Sequence, residues 1–192
     1  MRNKLILLAI MALILVGEGC TITHKLGPFY GKVVDAETGA PIEGAVVVVW
    51  CYTKGYSMGG TVRRFADAIE TITDAKGEFR ISSHRINLYR MMATWDDKNR
   101  ISIFKPGYGA YPGNLKTYSS LKKERSYSIP EDEHIVVYLP KLTTIEEKKE
   151  NLFDIEEPAG IDVSVDKIPN LRRLESEERL NVGLQPYKEW RK

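Results

Sequence analysis

The stretch that decides the fold is residues 45–52, which read AVVVVWCY. Its β-branched and aromatic side chains favour an extended strand. The run is continuous rather than alternating, and short continuous apolar runs are typical of strands buried inside a sheet. The sequence therefore predicts a central β-strand here. Cys51 lies inside the run, so we expect it to be a buried free thiol that packs as a small hydrophobe.

Five further strands are predicted around this central strand. They cover Phe29–Asp35 and His134–Leu139 and residues 69–73, 78–82 and 101–105. Asp74 to Gly77 are typical turn residues between the strands at 69–73 and 78–82, which predicts a hairpin. Residues 53–68, interrupted by Gly59 and Gly60, and residues 84–100 are predicted to be long loops.

Six short strands with almost no helix between them indicate an all-β, antiparallel sandwich over residues 29–139. Two packed faces of such strands bury enough apolar side chains for a domain of this size to fold alone.

The N-terminus has the pattern of a secretory signal. Arg2 and Lys4 precede an unbroken apolar run over residues 5–16, and Gly17 and Gly19 follow it. The run is shorter than the roughly 20 residues that a membrane-spanning helix needs. A basic start, a short apolar core and small residues predict a signal peptide over residues 1–19.

Cys20 resembles the cysteine of bacterial lipoprotein processing sites, which is lipidated and becomes the new N-terminus. Such sites usually carry Leu where this chain has Gly17. The alternative is ordinary cleavage after Gly19, and a Cys20–Cys51 disulfide could then form in an oxidising compartment. With lipidation, the protein is anchored to a membrane of the bacterial envelope and faces the periplasm or the cell surface. Residues 20–28 are then a tether.

The C-terminal extension, residues 140–192, changes character. Thr144 and Glu147 form a capping-box pattern that predicts a helix through about Leu152. A second helix is predicted from Pro169, with Leu171 and the nearby Leu174 on one face.

Charge is divided between the two parts of the chain. Residues 20–130 hold 16 Lys and Arg against 10 Asp and Glu, whereas residues 131–192 hold 10 against 15. We therefore expect the first tail helix to dock on the sandwich, mainly through Leu152, Phe153 and Ile155, since surface charge pairs contribute little. We expect the chain beyond Pro158 to be loosely held.

Three separate motifs resemble those of carboxypeptidase regulatory-like domains. They are GKVVD at residues 31–35 with GAVV at 44–47, TDAKGEF at residues 73–79 and KPGY at residues 105–108. The resemblance covers roughly residues 29–139. It implies a seven-stranded, transthyretin-like β-sandwich with no active site of its own, used in bacterial envelope proteins as a stand-alone or appended module.

Several classes of function lack their sequence signals. The formal net charge is only +2, and no basic run with interleaved aromatics is present, which argues against nucleic-acid binding. His24, His84 and His134 show no metalloprotease spacing, and no nucleophile elbow or phosphate-binding glycine loop occurs. We therefore predict no enzyme, no metal and no cofactor. The alternative is a hydrolase with its site in loops 53–68 and 84–100.

One aromatic and basic stretch is a candidate ligand site. A Gly- and Pro-rich segment brings together three tyrosines and four lysines, namely Tyr108, Tyr111, Tyr118, Lys105, Lys116, Lys122 and Lys123. Aromatic side chains on loops can stack on sugars or anchor a peptide. The alternative is that these tyrosines cover the sandwich. The sequence as a whole predicts a non-catalytic, membrane-anchored envelope module that acts as a scaffold or binds a protein or glycan.

Overall fold

The computed structural model describes residues 21–90, 93–121, 127–159 and 165–187. These ranges contain ten strands, two α-helices and one 3-10 turn, Val165–Lys167. The strands in chain order are β1 Thr21–Leu26, β2 Phe29–Asp35, β3 Val46–Ser57, β4 Gly60–Ile72, β5 Glu78–Ile81, β6 His84–Tyr89, β7 Thr94–Trp95, β8 Arg100–Phe104, β9 Tyr118–Ser119 and β10 His134–Leu139. The helices are α1 Ile145–Asn151 and α2 Pro169–Asn181. The prediction of an all-β fold with a short helical extension is confirmed, with more strands described than the seven expected.

Two sheets face each other across the main core. One has the strand order β5-β2-β10-β9, and the other has β4-β3-β7, with β8 also paired to β3. A separate two-stranded sheet joins β1 to β6. One pairing departs from the predicted antiparallel arrangement, because β10 runs parallel to β2. Parallel neighbours need a long crossover connection, and most of the chain lies between these two strands.

β3 is the central strand that its sequence predicts. Val46 to Trp50 pair with β4 on one side and with β8 on the other. Val47 and Val49 point into the core between the two sheets. Val48 belongs to a second core on the outer face of the same sheet. Because both faces are covered there, residues 46–51 of this strand are apolar at every position rather than at alternate ones.

The predicted loop at residues 53–68 is wrong, because this segment continues the β3–β4 hairpin. The ladder runs from Val46↔Ile72 to Ser57↔Gly60, and its register shifts once, at a bulge between Cys51 and Tyr52. Gly60 has a φ of 114° at the turn, a conformation that favours glycine. The glycines therefore close a tight turn instead of breaking a loop.

The predictions for residues 20–28 and 84–100 also change. Thr21–Leu26 is a strand rather than a tether, and its partner β6 lies within the predicted second loop. β7 lies in that loop as well and pairs with β3. Each of these strands finds its partner far away in sequence, so local turn and periodicity signals do not reveal the pairing.

The predicted hairpin over residues 69–82 is a corner between the two sheets. Its turn forms as expected, with the Asp74 carboxylate accepting hydrogen bonds from the backbone N–H groups of Lys76 and Glu78. The flanking strands separate, however, since β4 pairs with β3 and β5 pairs with β2. The same turn chemistry serves a hairpin or a sheet-to-sheet corner.

α1 forms with the predicted capping box. The Thr144 hydroxyl accepts from the backbone N–H of Glu147, and the Glu147 carboxylate accepts from the backbone N–H of Thr144. The helix contacts the sandwich through Asn151, which is fully buried and bonds the backbone of Tyr108 and Ala110. The predicted apolar docking by Phe153 is wrong, because that side chain is 90% exposed.

α2 is the helix that docks deeply, so the prediction of a loosely held region beyond Pro158 is wrong for the described part. Leu171 and Leu174 are buried against Val46 and Val48 of β3 in the second core. The Glu70 carboxylate of β4 accepts hydrogen bonds from backbone N–H groups in the first turn of α2. An acid at this position also interacts favourably with the helix dipole. The sequence shows the apolar stripe of Leu171 and Leu174. The surface that buries this stripe, the outer face of β3, is known only from the structure.

Candidate functional site

A groove with a volume of about 370 Å³ lies between β4 and β6. We call it the basic groove. Its charged and polar lining comprises Asp67, His84, Arg85, Asn87, Arg90 and Lys167, and its apolar lining includes Phe65, Ile86 and Leu88. Both walls come from segments that the sequence predicted to be loops.

Strand alternation produces this lining. On β6, Ile86 is buried and Leu88 half-buried, whereas Arg85 and Asn87 between them are exposed. On β4, Phe65 and Asp67 are both buried. Successive side chains of a strand point to opposite faces, so β6 packs Ile86 and Leu88 on the main core and exposes Arg85 and Asn87 on its other face.

Asp67 is the centre of the charge arrangement. Its Oδ2 atom lies 3.1 Å from Nε2 of His84, and its Oδ1 atom lies 2.8 Å from Nζ of Lys167. Oδ1 also accepts from the backbone N–H of Ala68. One carboxylate thus stands against two basic side chains, while Arg85 adds an exposed positive charge nearby. The groove therefore carries a net positive charge.

Arg90 fixes the far end of the groove. Its guanidinium donates to the Thr53 hydroxyl at 2.7 Å and to the Phe65 carbonyl at 2.7 Å. These bonds tie the end of β6 to both strands of the β3–β4 hairpin. Side-chain bonds therefore connect the two walls of the groove at this end.

Cys51 lies behind Asp67 and faces the main core. It is fully buried, and its thiol donates to the Asp67 carbonyl at 3.9 Å. Burial raises the pKa of this thiol to about 12, so it stays protonated at neutral pH. The predicted buried free thiol is confirmed. A protonated, buried thiol is a poor nucleophile.

The structure distributes the predicted ligand residues over different environments. Tyr111 is only 2% exposed and belongs to the main core, since its backbone bonds Ile103 of β8. Tyr118 stacks on Tyr138 with ring centroids 4.5 Å apart. Both rings therefore cover or fill the sandwich, as the alternative interpretation has it.

Tyr108 and Lys105 lie beside each other in the turn after β8. Tyr108 is half-buried, and burial together with the nearby Asp35 carboxylate raises the pKa of its hydroxyl. Lys105 extends towards Gly44, and its Nζ lies 2.9 Å from the point that a Cβ on this glycine would occupy. Lys122 and Lys123, which belong to the same predicted patch, lie outside the described residues.

A second cleft of about 340 Å³ has an aromatic lining that includes Trp50, Tyr52 and Tyr127. Trp50 is 3% exposed, and its Nε1 donates to the Tyr52 hydroxyl, which also accepts from the backbone N–H of Ala159. These polar atoms already bond each other and the chain. The polar atoms of Trp50 and Tyr52 are therefore used within the chain.

The histidines lie in three different settings. His24 stacks on Trp95, His84 contacts Asp67, and His134 begins β10. Within residues 21–90, 93–121, 127–159 and 165–187, no three metal-ligating side chains of His, Cys, Asp or Glu gather into a metal site. None of the helices in these ranges is long and apolar enough to cross a membrane. The predicted signal peptide and Cys20 lie outside the described residues.

No family model, curated protein or solved structure matches the chain. The resemblance to carboxypeptidase regulatory-like domains therefore stays a prediction. The basic groove itself was missed in the sequence. The alternation of His84 to Tyr89 was the local signal that could have indicated a strand with one charged row.

Proposed function

We propose that this protein is an exported, lipid-anchored and non-catalytic module of the bacterial envelope that binds an anionic ligand in the basic groove. The ligand class is a protein segment or a glycan that carries carboxylate or other anionic groups. The observation that carries the proposal is the groove between β4 and β6, in which His84 and Lys167 contact the Asp67 carboxylate and Arg85 and Arg90 add positive charge to the lining.

The chemistry of the lining supports an anionic ligand. Arg85 and Lys167 are exposed, and arginine offers several donors in a planar arrangement that suits carboxylates. Phe65 and Leu88 supply apolar surface beside these charges. Ligand sites commonly combine such apolar walls with a few placed polar groups.

Charge reversal at Arg85 tests the groove. The mature protein is titrated with a glutamate-rich peptide and with a uronic-acid oligosaccharide, by calorimetry at low and high salt. Arg85→Glu should reduce affinity for the recognised ligand at least tenfold, and added salt should weaken binding by the natural protein. Arg80→Glu is the matched control, because Arg80 is also exposed but lies on β5 in the other sheet. Equal affinity in both variants would contradict the proposal.

Intact-mass measurement tests the anchor. Protein extracted from membranes should begin at Cys20 and carry added acyl mass, because acylation is what holds the mature chain to the bilayer. A mature form that begins at Cys20 without acyl mass would exclude the lipoprotein proposal and would make ordinary signal cleavage the better account.

A hydrolase is the second candidate function, favoured by one observation. The two segments proposed for its site, residues 53–68 and 84–100, form the basic groove, and Asp67 contacts the imidazole of His84 at 3.1 Å. A carboxylate that orients a histidine is part of many hydrolytic sites. His84→Gln should abolish turnover of ester or amide substrates if this candidate is correct. Turnover that is absent in the natural protein, or unchanged in the variant, would leave the binding module.

A further inference from the structure

The outer end of the β3–β4 hairpin exposes several apolar side chains. We call residues 56–62 the hairpin tip. Tyr56 is 85% exposed, Met58 is fully exposed, and Val62 is 40% exposed. Tyr56 and Val62 lie on opposite faces of the ladder, because Tyr56 pairs with Thr61 and Gly55 pairs with Val62. The tip therefore exposes apolar side chains on both of its faces and, through Met58, at its turn. Both faces and the turn of this tip are thus free to contact apolar groups outside the chain.

The chain enters the described structure at the same end of the molecule. Leu26 pairs with His84, which contacts Asp67 at the level of Cys51 on β3. His24 stacks on Trp95, and Trp95 pairs with Thr53, two residues further along β3. β1 therefore runs alongside β3, with its N-terminal end directed towards the hairpin tip.

Strand geometry places the first described residue near the tip. From His24 to Thr21 is three residues, or about 10 Å at the rise of a strand. The same distance along β3 leads from Thr53 to Tyr56. Tyr89, the partner of Thr21 on β6, is 69% exposed and lies at this end as well. Cys20, the residue before Thr21, is the proposed lipidation site.

We propose that the hairpin tip contacts the surface of the membrane in which the N-terminal lipid anchor is held. The proposal rests on the lipid anchor of the proposed function. An anchor at Cys20 holds this end of the molecule against the bilayer, because fewer than ten residues of chain separate Cys20 from the packed Leu26.

The chemistry of the tip suits the region of the lipid headgroups. Tyrosine side chains are enriched at this depth because they combine an apolar ring with a polar hydroxyl. Met58 supplies an apolar group at the turn, and the exposed Arg64 lies next to the tip on β4. Basic residues at this position are attracted to anionic lipids.

A charge cluster braces the hairpin behind its tip. Nζ of Lys54 lies 2.9 Å from Asp96 and 2.7 Å from Asp97, and Nε of Arg63 lies 3.0 Å from Asp96. The Asp96 side chain is almost fully buried by these contacts. The brace connects both strands of the hairpin to the segment after β7, so the tip is presented to the membrane on a supported ladder.

A fluorescent label at the tip tests the contact. Met58→Cys protein is expressed as the full chain, extracted in its mature form, labelled with a polarity-sensitive maleimide dye and reconstituted in vesicles of phosphatidylethanolamine and phosphatidylglycerol. Cys51 should not react, because it is fully buried and its thiol has a raised pKa. The unsubstituted protein is labelled in parallel to show whether Cys20 is blocked.

Phe153→Cys provides the matched control. Phe153 is 90% exposed and apolar, but it follows α1, whose Asn151 bonds the turn after β8 at the opposite end of the sandwich. A spin-labelled lipid should quench the dye at position 58 several-fold more strongly than the dye at position 153. The emission at position 58 should also shift to shorter wavelength on reconstitution.

The outcomes separate this inference from the anchor itself. Quenching at position 58 no stronger than at position 153, in protein that remains bound to vesicles, overturns the membrane contact and leaves the anchor intact. A blue shift at position 58 without lipid quenching assigns the tip to a protein partner or a second copy, which also overturns it. Dye incorporation at Cys20 with loss of vesicle binding contradicts the anchor.

Discussion

The inner and outer halves of the β3–β4 hairpin share one backbone ladder but differ in burial and in side-chain chemistry. In the inner half, residues 46–52 and 65–72, β3 is covered on one face by the opposite sheet and on the other by α2. In the outer half, residues 53–64, most side chains are exposed and a charge cluster takes the place of a core. Backbone pairing therefore continues well beyond the region in which burial stabilises the strands.

The comparison predicts the largest effect for a charge placed in the inner half. Val47→Asp should prevent folding, because an unpaired buried carboxylate costs several kcal/mol against a total stability of about 5–15 kcal/mol. Val47 is fully buried in the main core. Solubility and circular-dichroism melting measure the outcome. Tyr56→Asp in the outer half is the control and should still melt cooperatively, whereas a cooperatively folded Val47→Asp protein would show that the strand assignment is wrong.

Shortening a buried side chain on α2 tests how much the second core contributes to stability. Leu171→Ala should lower the free energy of unfolding by about 2–5 kcal/mol, because it leaves a cavity against β3. Denaturant unfolding gives the value. Leu180→Ala on the same helix should cost little, since Leu180 is 61% exposed and alanine has a high helix propensity. Similar losses at both positions would mean that α2 does not cover the inner half as described.

A buried acid on α2, the helix that packs on the inner half, should make the stability of the protein depend on pH. Glu175 is 1% exposed, and burial together with the neighbouring Glu157 raises its pKa from 4.5 to about 8, despite Arg172. The folded state therefore holds a proton that the unfolded state releases above pH 4.5. Stability should fall as pH rises from about 5 to 8, by on the order of a few kcal/mol at most.

Glu175→Gln should remove most of this decline, because glutamine has no proton to lose. Unfolding free energies at pH 5 and pH 8 measure it in both proteins. Glu177→Gln is the control, since the Glu177 side chain is 53% exposed. A decline of the same size in Glu175→Gln protein would assign the pH dependence to other groups.

Sequence reasoning succeeded where side chains carry the signal. The continuous apolar run gave β3 its central place, and the capping box of Thr144 and Glu147 forms as predicted. It failed where pairing depends on a distant partner. β1 and β6 have no local reason to meet, and their pairing creates one wall of the basic groove.

The outer half of the hairpin was also predicted wrongly, as a loop. Its residues lack the apolar alternation of a half-buried strand, so Gly59 and Gly60 favoured a loop. The ladder nevertheless continues to Ser57, and the side-chain bonds of Arg90 and Lys54 join the hairpin to segments that are distant in sequence. A local sequence pattern does not show these bonds. Among the candidate ligand tyrosines, Tyr111 lies in the core, where its backbone bridges to Ile103 of β8.

The smallest expected effect is at the hairpin tip. Met58→Ser should change the free energy of unfolding by no more than about 0.5 kcal/mol, as is usual for exposed positions away from special contacts. The same kind of change at Val49, on the inner half of the same strand, should cost more than about 1 kcal/mol, because it buries a hydroxyl and removes core volume. Thermal and denaturant unfolding of both variants give the comparison. A marked loss of stability in Met58→Ser protein would mean that the tip packs against something within the chain. Its exposed apolar side chains would then serve folding rather than contact with a membrane.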